Sequence, residues 1–157
     1  MNKNHSNMTM NHYPKLLIMA VLSFISMYIL MYSMVNTIGN VYNNFNQFYM
    51  AGLMTAPMVI FELLLMKSMY PDKRLNLVIL AVSLIALAGF FLFIRQQTAI
   101  TDKQFLRSMI PHHSGAILMC EESSIQDPEI RVLCDSIVQN QQEEIDQMEA
   151  ILQRLEE

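Results

Sequence analysis

The chain has 157 residues, 53% of them hydrophobic and only 15% charged, with a formal net charge of −4 and a positive mean hydropathy of +0.27. That balance argues against a uniformly soluble domain and for membrane residence of part of the chain. Nothing basic and clustered suggests nucleic acid as a partner, and two cysteines are too few for a disulfide framework.

Residues 1–14 read as a short tail in which His5, Met8, Met10 and His12 are soft donors with polar flanks. A tail without fixed structure is the plainer reading of them. Leu16–Val35 follows, 20 residues without a charge, enough to cross a hydrocarbon core of ~30 Å. It is too long for a signal-peptide core, and no A-x-A-like site follows, so it reads as a retained span. Tyr49–Met66 is the second span, with Pro57 expected to kink it and Glu62 as its one acid. Leu75–Ile94 is the third, interrupted by Asn76 and Ser83. Residues 15–95 thus form a three-span unit in contact with lipid.

Lysine and arginine placement orients the spans. Lys3 and Lys15 precede the first span, the loop Asn36–Phe48 has no charge, and Lys67, Lys73 and Arg74 lie in the second loop. This pattern puts the N-terminus on the cytoplasmic side of the cell (inner) membrane and the segment 96–157 outside the cytoplasm, although Arg95, Lys103 and Arg107 pull the other way. Methionine, at 15 residues, is prominent in the spans. Met27, Met31 and Met34 cluster on the first, and Met50, Met54, Met58, Glu62 and Met66 form an i, i+4 series on the second. A thioether route for Cu(I) and simple lipid-facing or bundle packing are both open, and packing is the plainer reading. An acid inside a span is a functional candidate by default, though Glu62 can also pair with Lys67.

Beyond Ile100 the charged residues concentrate, and the pattern becomes that of an antiparallel helical hairpin. Thr101 and Gln104 suggest a capping box. Apolar positions then recur through Phe105-Leu106-Arg107-Ser108-Met109-Ile110-Pro111-His112-His113-Ser114-Gly115-Ala116-Ile117-Leu118-Met119-Cys120, with a kink expected at Pro111. Asp127-Pro128-Glu129 starts a second helix, with Asp as N-cap, Pro at the first position and an acid in the first turn. Gln141 and Glu144 interrupt its apolar seam, as His113 interrupts the first. Unpartnered buried polar groups cost ~1–3 kcal/mol, so antiparallel pairing should set His113 near Gln141 and Glu144, and Cys120 near Cys134. Gly115 reads as a point of close approach between these two helices. A unit this small buries little, so a homo-oligomer is expected.

The segment brings thioether, imidazole and thiol side chains together, a donor set that suits copper, above all Cu(I), and suits magnesium or calcium badly. Imidazole also serves zinc. Neighbouring helical residues point about 100° apart, so His112 and His113 share one metal only if Pro111 distorts the turn or two chains contribute. The plainer reading has one histidine bonded to Glu144 or a carbonyl and the other facing solvent. Cys120 and Cys134 read as buried thiols, a disulfide or a thiolate pair.

The run Met109-Ile110-Pro111-His112-His113-x-Gly115-Ala116, followed by Asp127, Ile137 and Gln141-x-x-Glu144-Ile145-x-x-Met148, resembles the domain of unknown function 305 family over about residues 101–152. That resemblance implies a helical, ferritin-like domain, with copper binding or tolerance outside the cytoplasm in some members and methionine-rich spans ahead of it in others. It makes Met109, His112, His113, Met119, Glu144 and Met148 candidate metal-site residues, with Glu144 favoured as the acceptor that orients a histidine. No Glu-x-x-His pair of a ferritin-like oxidase is present, and no nucleophile–base set, so an enzyme is not expected. The expectation is a membrane-anchored copper-binding protein, served by a copper donor or acceptor protein. The rivals are an assembly module without metal and a transport subunit using Glu62 and the methionine-rich spans.

Overall fold

The computed structural model describes residues 12–157; His5, Met8, Met10 and the basic Lys3 lie outside the described residues. The described chain is five α-helices, α1 (Tyr13–Leu30), α2 (Phe45–Leu65), α3 (Lys73–Gln96), α4 (Asp102–Glu122) and α5 (Pro128–Glu156), joined by short turns except for a longer connection between α1 and α2 that holds two 3₁₀ segments. Three are long and apolar enough to cross a membrane, α1 being extended to Met34 by a 3₁₀ turn.

The helix ends differ from the hydropathy bounds for local reasons. Pro14 opens α1, where its fixed φ and missing N–H cost nothing. Asn44 caps α2 by accepting from Gln47 N at 2.8 Å, which starts that helix four residues before the hydrophobic stretch. Asp72 caps α3 through Arg74 N and Leu75 N. Both α2 and α4 continue through their prolines, Pro57 and Pro111, as single helices. The anticipated capping box at Thr101 does not form. Thr101 makes no side-chain cap, and the Gln104 side chain that would complete the box turns away and accepts from Phe45 N at 3.0 Å. The Asp127 cap does form, on Glu129 N and Ile130 N.

Helices α1, α2 and α3 pack around Leu16, Val59, Leu63 and Tyr70. Helices α4 and α5 pack around Leu106, Ile110, Ile117, Ile145, Met148 and Leu152. Arg107–Glu156, His113–Glu144 and Cys120–Cys134 link the second pair along its length, the number rising in one helix as it falls in the other. The two cysteines form a disulfide with Cα atoms 5.3 Å apart, which settles the three alternatives left by the sequence.

The turn from α3 to α4 is tight, with Gln97 and Ala99 at φ of 49° and 59°. It folds α4 back so that a polar layer joins the two halves. Asn36 N donates to Ser114 Oγ at 2.8 Å, and Ser114 Oγ donates to Asn36 Oδ1. Asn46 Nδ2 reaches Ser108 Oγ at 3.3 Å, and Tyr49 Oη donates to Thr98 O at 2.9 Å. Gly115 has its role here and not against α5. A Cβ on it would lie 3.3 Å from Met34 O, so glycine permits α4 to approach the end of the first apolar helix.

Candidate metal centre

Helix α4 carries two different chemistries on two faces, because His112 and His113 are adjacent and point apart. His113 faces α5. It is 7% exposed, with Nδ1 2.9 Å from Met109 O and Nε2 2.6 Å from Glu144 Oε2. A carbonyl only accepts, so Nδ1 carries a hydrogen and donates. Nε2 is engaged in turn by the Glu144 carboxylate. In that arrangement neither ring nitrogen of His113 offers a lone pair to a metal. Met109 contributes its carbonyl to this pair while its side chain packs half-buried against the core, and Met148 lies inside that core. Glu144 has the orienting position expected of it, with its side chain 54% exposed. Gln141, expected in the same place, is half-buried one turn away.

His112 and Met119 face the other way. They line a cleft of about 410 Å³ between α4 and the ends of the first two apolar helices, within the usual range for ligand sites. Met31, Met34 and Met50 line the same cleft. Its polar lining is neutral, from Asn44, Asn46, Gln47 and Ser108. His112 is exposed, and its ring touches that of His113 edge-on at 6.1 Å between centroids. Of the six residues singled out from the sequence, the structure brings His112 and Met119 into this cleft and sets Met109, His113, Glu144 and Met148 on the α5 side.

Met31, Met34 and Met50 were visible in the sequence only as parts of two separate methionine series. The signal for their convergence was weak: periodicity places residues on a face of one helix, not opposite another. Among the described residues no three His, Cys, Asp or Glu side chains are grouped as ligands for one ion. The soft donors that line the cleft are thioethers and one imidazole, which fit a soft ion and lack the anionic ligands that a hard or doubly charged one prefers. Glu62, the acid within α2, accepts from Tyr70 Oη at 3.0 Å.

A model of the family described as Domain of unknown function (DUF305) matches residues 94–152, which hold His112, His113, Met119 and Glu144 but not Met31, Met34 or Met50. An uncharacterized protein of Acanthamoeba polyphaga mimivirus is 36% identical over 140 residues, covering 87% of this chain and 90% of that protein. The similarity therefore takes in apolar helices as well as the matched segment. No solved structure matches the chain. With its characteristic segment in α4 and α5 and a relative alike along most of its length, the chain belongs to the DUF305 family.

Proposed function

We propose that this chain is a membrane-anchored copper-binding protein serving extracytoplasmic copper homeostasis or delivery. In this reading α1, α2 and α3 cross the cell membrane with the N-terminus inside, and α4 with α5 forms a ferritin-like hairpin outside it. The observation that carries the reading is the cleft face of α4, where His112 and Met119 stand beside a cavity that holds no carboxylate. Neutral soft donors suit Cu(I). The ordinary zinc site needs three or four ligands drawn from Cys, His, Asp and Glu, and the described residues offer no such group. His113, Glu144, Met109 and Met148 then brace the helix that presents the ligands, as an outer layer typically does.

The test is a Cu(I) titration of the full chain in micelles against a competing chelator, beside His112→Ala/Met119→Leu. Ascorbate serves as reductant, because a thiol would open Cys120–Cys134 and add thiolate ligands. Retention that is lost in the variant supports the reading; no retention in the wild type refutes it.

A second reading, an assembly module, is favoured by Ile130, Val132 and Leu133 on α5, which are 49%, 70% and 57% exposed. An oligomer that forms without metal and dissociates on Val132→Glu would support that reading.

A further inference from the structure

We propose that the metal site is composite. The thioethers of Met31, Met34 and Met50 close over His112 and Met119, so that the apolar helices supply more than half of the soft donors for one Cu(I) ion. This rests on the copper reading above and adds to it three thioether ligands from the apolar helices and the dependence of the site on both halves of the chain.

Three features of the fold bring these donors together. Residues 31–34 form a 3₁₀ turn, in which side chains three apart eclipse, so Met31 and Met34 present their sulfurs on one side. That turn is held against α4 by the Asn36–Ser114 hydrogen bonds and by the close approach at Gly115. Met50 lies early in α2, one and a half turns beyond its Asn44 cap, and faces the same cavity. His112 and Met119 are seven apart on α4, two turns along one stripe. Five donors from three helical segments therefore line a single cleft that the fold holds in register.

Charge sets the oxidation state. The lining contains no aspartate, glutamate, lysine or arginine. The cost of moving an ion out of water grows with the square of its charge, so a site without anions penalises Cu(II) or Zn(II) four times as heavily as Cu(I). Thioethers add the matching preference, being polarisable and soft. The ligands also sit where the apolar helices meet the polar layer, which puts the metal at the mouth of the Met50, Met54, Met58 series on α2 and not out in the α4–α5 pair.

The experiment compares three full-length proteins in micelles: wild type, Met31→Leu/Met34→Leu/Met50→Leu, and His112→Ala/Met119→Leu. Leucine conserves volume, and far-UV circular dichroism checks that each variant keeps its helices. Cu(I) is titrated with ascorbate and a competing chelator, Zn(II) is titrated in parallel, and X-ray absorption reads the copper ligands. The composite site predicts a sulfur-dominated shell, a loss of Cu(I) affinity of at least about 100-fold in both variants, and far weaker retention of Zn(II). Wild-type affinity in the triple leucine variant, with loss in the His112/Met119 variant, overturns the composite site and leaves a copper site on α4 alone. Wild-type affinity in both variants overturns the copper assignment of this cleft altogether. Equal retention of Zn(II) and Cu(I) refutes the charge argument.

Discussion

The two adjacent histidines should separate cleanly under mutation, His113 governing stability and His112 governing metal. His113→Ala removes a ring that is 7% exposed from between α4 and α5. Truncating a buried side chain of that size costs ~2–4 kcal/mol once the surroundings relax in part. The bond to Glu144 adds less than the 2.6 Å contact suggests, because the carboxylate is half in water and recovers hydration when the ring goes. For a chain of this length, that range corresponds to a fall in melting temperature of roughly 5–15 °C. His112→Ala, on an exposed position, should move stability by no more than about 0.5 kcal/mol while weakening Cu(I) retention. Glu144→Gln keeps an acceptor and should fall between them, near 1 kcal/mol. Thermal unfolding in micelles followed at 222 nm, with Cu(I) competition on the same samples, reads both quantities. If His113→Ala melts like wild type and loses copper, the assignment of the two faces is wrong. The same holds if His112→Ala destabilises as strongly as His113→Ala.

Opening the disulfide should loosen the far end of the α4–α5 pair. Cys120 and Cys134 are 14 apart in sequence, and closing a loop of that size restrains the unfolded chain by about 3 kcal/mol, so Cys120→Ser/Cys134→Ser should lower the melting temperature measurably under oxidising conditions and not change it in reductant. Ser114→Ala removes the partner of both Asn36 bonds; it should weaken Cu(I) retention more than it lowers stability, as seen by chelator competition beside a melting curve. Burial, then the carboxylate of Glu149, raises the ionisation of Tyr42 above the usual phenol value of 10.0. A raised value in the folded state means a contribution intact below pH about 10 and lost as pH rises through the folded value. Tyr42→Phe should therefore lose less stability than wild type between pH 9 and 11, and an equal loss in both proteins would remove Tyr42 from the account.

Much of the fold was legible because it is written in local terms. Long apolar runs, two of them charge-free and one holding only Glu62, mark the three apolar helices, and Asp127-Pro128-Glu129 marks the start of α5 without reference to anything distant. The pairing of His113 with Glu144 was legible too, since a polar interruption in each of two apolar seams has its cheapest arrangement facing the other. Local signals failed where a distant group competed for the same side chain. Gln104 has the spacing of a capping box, yet it serves Phe45 N, an unpaired donor at the first turn of α2. Gly115 was read against the neighbouring helix in sequence, whereas the backbone it admits is that of Met34.

The sequence alone determined which residues are apolar, where helices start, and that soft donors are abundant, because hydropathy, caps and composition act over a few residues at a time. It could not determine which of these side chains line one cleft. That depends on how α4 is folded back by the turn at Gln97 and Ala99 and on the polar layer that fixes it against the first loop. Only the tertiary structure set Met31, Met34 and Met50 across from His112 and Met119. A helix specifies its own faces through its period; which face meets which neighbour is decided by the packing of whole helices.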